Sequence, residues 1–233
     1  MTLPLRTPVP ALTLLLTLAL LAPASSACTG VPDAPRATVA EPASPAPAAT
    51  PPAAPSAPLA AGAAAAPVRL AFGPQTGSTI EFVGAKLTAT HAGSFARFSG
   101  TLDLVADHLE QSHVSVEIEL DSLQIEPPRL AGHLRTADFF DVARYPRATF
   151  SSSAITAGAA GGATHTIAGT LALHGVSKRI SFPATLTVSP AEVGARAAFI
   201  LDRRDFHLVY PGMPDDLIKD DVTIELTVRA PRP

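Results

Sequence analysis

The chain has 233 residues, a formal net charge of −3, no tryptophan and one cysteine. A lone cysteine excludes an internal disulfide. A near-neutral balance with no basic run interleaved with aromatics argues against a nucleic-acid-binding surface. The 24 prolines are unevenly spread, and they help divide the chain into three parts.

Residues 1–27 have the form of an export signal. Arg6 supplies the positive start, and Ala11 to Ala22 is an apolar run of 12 residues, against the ~20 a spanning helix needs. Ala24-Ser-Ser-Ala27 leads directly into Cys28, which is read as the acceptor of a lipoprotein-type lipid, although Ser25 stands where that pattern has leucine. The alternative is ordinary cleavage after Ala24 or Ala27, leaving Cys28 as a free thiol. A lipidated Cys28 would hold an exported protein at a membrane surface, and the uncharged Thr29 favours the outer membrane over the inner. Without the lipid the protein would be soluble in the periplasm or secreted. Residues 28–67 are dominated by alanine and proline. They cannot bury enough apolar area to offset their ordering entropy, so a disordered spacer is expected. At ~3.1 Å per residue, such a tether reaches on the order of 100 Å when stretched.

Residues 68–233 read as one all-β domain. Apolar and polar residues alternate over many short runs, which puts one face of each strand in a dry interior. The expected strands are Ser78–Ala89, Ser94–Val105, His113–Ile125, Arg147–Ala157, Thr164–His174, Ser177–Ser189, Val193–Asp202 and Asp220–Ala230. One helix, Pro128–Phe139, interrupts them. It opens on Pro127-Pro128 and gathers Leu130, His133, Leu134 and Ala137 on one face. The pattern predicts an eight-stranded antiparallel barrel with a short helix between its third and fourth strands.

The inward positions are the candidate lining of that barrel: Val114, Val116, Ile118 and Leu120, then Ile167, Leu171 and Leu173, then Phe182 and Leu186, then Phe199, and last Ile224 and Leu226. Leu134, Phe139, Phe140 and His133 are candidates for its mouth. Several further inward positions, Gly169, Ala184, Ala195 and Ala197 among them, are small. Small residues facing inward leave volume, and an apolar void destabilises unless something fills it. A ligand cavity is one outcome; the other is a solid core filled by longer neighbours, which would make the protein an envelope stress-protection or interaction module.

Catalytic and metal chemistry find no footing. None of the seven histidines has a zinc spacing. His133 and Asp138, five apart on one helix, would point to different faces, so no shared metal is expected. The aspartates at 215, 216, 220 and 221 lack the alternating ligands and the glycine of an EF-hand. Asp202-Arg-Arg-Asp205 reads as a strand-end salt-bridge group. No nucleophile lies beside a base, so a binding protein without a cofactor is expected rather than an enzyme.

Several motifs, in order, resemble one family. They are Ser78-Thr-Ile-Glu-Phe82 with His91, Gly93-Ser-Phe95 and Phe98-Ser-Gly100. They continue with His133 to Val142 (HLRTADFFDV), Tyr145 to Ser153 (YPRATFSSS), Ile167 to Lys178, and Arg204-Asp-Phe206. From Gly77 to Arg229 the chain resembles the YceI-like polyisoprenoid-binding proteins of bacterial periplasms. That resemblance implies a lipocalin-like barrel with an apolar tunnel for a long-chain isoprenoid, an isoprenoid quinone or a fatty amide. It implies no catalytic residue, and it is compatible with a homodimer. His207 departs from it, standing where relatives often have glycine.

Overall fold

The computed structural model describes residues 34–41, 67–105 and 108–233. The export segment, Cys28 and most of the spacer lie outside the described residues. The elements in chain order are β1 (Thr38–Ala40), β2 (Val68–Phe72), β3 (Thr79–Ala85), β4 (Thr90–Phe95), β5 (Phe98–Val105), β6 (His108–Glu119), β7 (Leu123–Ile125) and α1 (Pro128–Leu134). There follow β8 (Arg147–Ala157), β9 (His165–Leu173), β10 (Val176–Val188), β11 (Glu192–Asp202), β12 (Gly212–Met213), β13 (Asp216–Leu217) and β14 (Asp221–Pro231).

The fold is all-β, a strongly curled antiparallel half-barrel with one short helix. Its sheet runs β2-β5-β6-β8-β9-β10-β11-β14-β3-β4-β7, with β1 added beside β10 and the pair β12–β13 standing apart. The eight strands expected from the sequence are therefore corrected to a twelve-stranded sheet that does not close its hydrogen-bond path. Two of the extra strands come from bending. The expected strands Ser94–Val105 and His113–Ile125 each turn a corner, at residues 96–97 and 120–122, and continue in a different part of the sheet. One side chain holds both corners: the Ser122 hydroxyl accepts from the Arg97 amide at 3.0 Å and donates to the Glu119 carbonyl at 2.6 Å. Arg97 pairs outside with Glu119 and Asp121, each at 2.6 Å.

Where alternation is regular, the observed strand follows it. On β10, Ile180, Phe182 and Ala184 are buried, while on the neighbouring β9 the opposed Gly169 and Ile167 share their face. The inner face divides into two ends. At one end Leu70, Phe72, Leu102, Leu104, Val193 and Ala230 pack into a continuous core. At the other, Phe82, Leu123, Ile125, Ala131, Leu134 and Phe139 pack beneath α1.

The helix stops earlier than expected. It ends at Leu134, because Thr136 folds back on the last turn: its hydroxyl and amide both donate to the His133 carbonyl, at 2.7 and 3.0 Å. A series of turns follows, in which Asp141 takes a left-handed conformation with φ of 44°. Ala137 is consequently exposed and not on the buried face.

The stretch expected to be a disordered spacer also needs correction over its described part. Ala34–Glu41 lies along the sheet, where Thr38–Ala40 pairs antiparallel with Arg179–Ser181 of β10. Its own pattern, APRATVAE, carries no alternation; the order comes from partners some 140 residues away.

Candidate functional site: an apolar cavity

The inner face encloses a cavity of about 620 Å³ lined mainly by apolar side chains, within the ~300–1,000 Å³ range of ligand pockets. Its floor reaches Phe72 and Val228, and its wall is built by β6, β9, β10, β11 and β14. The small inward residues are not what leaves the space. At Gly169 an added Cβ would lie 2.5 Å from the Phe150 ring, and at Gly100 it would lie 2.1 Å from Phe72. Each glycine is roofed by a neighbouring phenylalanine, and none of Gly169, Ala184, Ala195 and Ala197 borders the cavity.

Of the twelve inner-face candidates, Val116, Ile118, Leu120, Leu171, Leu173, Phe182, Phe199, Ile224 and Leu226 line the cavity. Val114, Ile167 and Leu186 do not. Val114 packs in the core around Leu70 and Phe72, Ile167 is buried in the wall cluster, and Leu186 lies between the two. All four mouth candidates, His133, Leu134, Phe139 and Phe140, line the cavity at the α1 end. Because α1 ends early, His133 Nε2 comes within 3.0 Å of Asp138 Oδ2, correcting the expectation that the two face apart. Among the described residues, no three His, Cys, Asp or Glu side chains gather as a metal site.

The mouth has three parts: α1 with the turns after it, the β3–β4 loop, and the segment from Leu208 to Lys219. Aromatic rings join the first to the third. His133, Phe139 and Tyr210 sit mutually 5.1–5.2 Å apart between ring centres. Backbone bonds join the second to the third: the Leu87 amide donates to the Leu217 carbonyl at 3.1 Å, and the Lys219 amide to the Ala85 carbonyl at 2.8 Å. Lys86 forms an ion pair with Asp216, and the amide and hydroxyl of Thr88 donate to the same carboxylate at 3.0–3.2 Å. The Lys86 hydrogen bond, helped by Thr88, holds the Asp216 carboxyl below the usual carboxylate range.

Sequence reasoning missed the residue that braces this mouth. Arg203 is 7% exposed. Its guanidinium donates to the carbonyls of Leu208, Ile218 and Lys219 and to Asp220 Oδ1, the last at 2.8 Å. The Asp202-Arg-Arg-Asp205 group is thus more than a strand-end cluster, since one of its arginines turns inward and ties down the 208–220 segment. Leu208 and Ile218 reach the cavity from that segment, and loop residues carry no periodic signal. His207 takes φ of 59° at the end of the turn that carries Arg203, a left-handed conformation that explains why glycine suits this position. Outside the mouth, Leu87, Val209, Met213 and Leu217 are exposed. Lys86, Arg129 and Lys219 reach the rim among Glu81 and His91.

Comparison with known proteins agrees with this architecture. Residues 74–230 match the family described as a YceI-like domain. A UPF0312 protein of Pseudomonas putida strain W619 is 32% identical over 139 residues, which is 57% of this chain and 71% of the relative. Among solved structures, Burkholderia cenocepacia BcnA superposes with a TM-score of 0.58 at 23% identity, over 66% of this chain and 96% of the other. A polyisoprenoid binding domain from Saccharophagus degradans, implicated in plant cell wall breakdown, gives 0.55 at 17% identity, over 70% and 99%. At these identities the structural likeness concerns the fold.

Proposed function

Because the chain belongs to the YceI-like family, a binding family with no catalytic role indicated, we propose that its cavity takes the chain of one long apolar lipid, a polyisoprenoid, an isoprenoid quinone or a fatty amide. The observation that carries this reading is the apolar cavity of about 620 Å³, open toward a mouth of aromatic rings. Each CH₂ buried there is favoured over water by ~0.8 kcal/mol. A bilayer offers nearly the same gain, since lipid tails are as apolar as leucine. The protein is therefore suited to exchanging lipids at a membrane surface, for transport, storage or sequestration. Exposed Leu87, Met213 and Leu217 beside Lys86 and Lys219 support contact between the mouth and that surface.

The protein acts in the cell envelope in this reading, held at a membrane by a lipid on Cys28. Five residues separate Cys28 from Ala34, so the anchor lies within ~20 Å of the point where the chain meets the sheet. That is a far shorter leash than a free spacer would give. Cys28→Ser would release the protein from the membrane fraction with its fold unchanged; a wild-type protein already soluble, with an unmodified amino terminus, would contradict the anchor. The lipid site is tested by native mass spectrometry of protein purified from cells. A bound species in the mass range of a long-chain lipid is expected. Protein that is always empty, and takes up no polyprenol from vesicles, would overturn the reading.

A further inference from the structure

The strands β10 and β11 are neighbours for only part of their length. They pair through Thr185–Val188 with Val193–Arg196, and beyond these residues they splay apart toward the mouth. The segment Pro35–Ala40 fills the gap. On one side Thr38, Val39 and Ala40 pair antiparallel with Ser181, Ile180 and Arg179 of β10. On the other, the Ala37 amide donates to the Ile200 carbonyl of β11 at 2.9 Å, and the Ile200 amide donates to the Pro35 carbonyl at 3.0 Å. The leader-proximal chain is therefore a wall strand, inserted between two strands that come more than 130 residues later.

The insertion backs the cavity wall, although none of its own residues borders the space. Ala37 is 6% exposed and packs in one cluster with Ile180, Phe182, Phe199, Leu201 and Phe206. All five of these also line the cavity. Strands lie about 4.8 Å apart in a sheet, so withdrawing one leaves a slot of roughly 9–10 Å between its neighbours. Such a slot would expose the unpaired backbone of Arg179–Ser181 and Ile200 and open the apolar interior sideways.

The hold on this strand is light. It offers no side chain larger than Val39 to the interior, and its pairing covers three residues of β10 and one of β11. Two exposed ion pairs clamp its ends: the Arg36 guanidinium donates to both oxygens of Asp221, and Glu41 pairs with Lys178 at 3.2 Å. The forked Arg36 pair is the firmer of the two, and solvent screening limits both. We propose that Pro35–Ala40 is a removable wall strand, whose release opens a lateral passage between β10 and β11 for a lipid chain to enter or leave the cavity. The proposal rests on the reading of the cavity as a lipid site. It also gives the anchored segment a second role, because a pull on the tether acts directly on the gate.

The test uses the full mature chain with Cys28→Ser and the paired substitutions Thr38→Cys and Ser181→Cys. These two positions are register partners, and neither lines the cavity. Uptake of a fluorescent polyprenol from phosphatidylcholine vesicles is followed with the disulfide formed and after reduction. The locked strand should slow uptake at least tenfold, and reduction should restore the wild-type rate. Ala37→Glu, which puts a charge where the strand is most buried, should speed both uptake and release several-fold. Equal rates for locked and reduced protein would overturn the gate and leave the lipid site standing. No uptake by any form, wild type included, would overturn both.

Discussion

The two ends of the curled sheet are built on different principles. At the closed end, Leu70, Phe72, Leu102, Leu104 and Val193 fill the space between strands, and the ion pairs there, Arg69 with Asp103 and Arg229 with Glu192, lie on the outside of a filled core. At the open end the apolar side chains pack beneath α1 but also face a void, and order depends in addition on polar ties: Arg203 on three carbonyls, Lys86 on Asp216, and a borrowed strand between β10 and β11. A fold can leave its interior empty at one end when the rim is braced by hydrogen bonds and ion pairs as well as by packing. The same division puts the parts able to move at the mouth.

Substitutions at each end should therefore fail in different ways. The largest effect is expected at Arg203. Arg203→Leu leaves the carbonyls of Leu208, Ile218 and Lys219 without their donor, at about 1–3 kcal/mol for each acceptor that stays buried, while Asp220 keeps Arg204 at 3.5 Å. Thermal unfolding should show the loss, and hydrogen exchange should place it first in residues 208–220. At the closed end, Leu70→Ala should cost about 3 kcal/mol from lost transfer and the cavity left behind, with lipid uptake per folded molecule unchanged. A Leu70→Ala protein that kept its stability would erase the contrast between the ends.

Acid should sharpen the contrast. The Asp216 carboxyl is held below the usual range by the hydrogen bond from Lys86. Its contribution is therefore complete above the unfolded value of ~3.9 and lost as pH falls through the lower folded one. Below about pH 4 the hydrogen bonds joining Leu87 to Leu217 and Lys219 to Ala85 should exchange faster. Arg69 holds the Asp103 carboxyl low in the same way at the closed end, but that pair lies outside a filled core, so the amides there should lose less protection. Amide exchange followed across that range measures both ends in one sample. The smallest effect is expected at His207, whose left-handed backbone favours glycine. His207→Gly should raise stability by about 0.5–1 kcal/mol, read as a small increase in Tm with cavity binding unaltered.

Much of the wall was legible because alternation at period two is a direct record of which face is dry. Arg147–Ala157 is the observed β8, and β10, β11 and β14 fall within one or two residues of expectation. The corners left a mark in the sequence that was passed over. Alternation slips phase at each, from Phe95 to Phe98 and from Leu120 to Leu123, three residues on in both cases, and the contact of Ser122 with the two segments shows that they bend there. The helix was read too long because Leu134 and Ala137 share a helical spacing, while Thr136 competes for the backbone. Nine of the twelve wall candidates face the cavity because pattern fixes facing. Pattern does not fix how far along a strand the void extends, and Val114 and Leu186 lie beyond it. The reasoning from small residues mistook its cause, since Gly169 receives the Phe150 ring and Ala184, Ala195 and Ala197 do not border the cavity. Arg203 and the inserted strand had no local signal, because their partners lie in loops or in strands distant in sequence.

The central claim is that the space behind β9 and β11 is a ligand site and not slack in a core. Leu171→Trp tests it most directly, since Leu171 is half-buried and faces the cavity. In an open cavity the larger ring is accommodated, so Tm should stay within a degree or two of wild type while polyprenol uptake falls by at least tenfold. In a filled interior the same substitution would overpack and cost about 1–3 kcal/mol. A clear drop in Tm, or uptake that persists with the indole in place, would contradict the account.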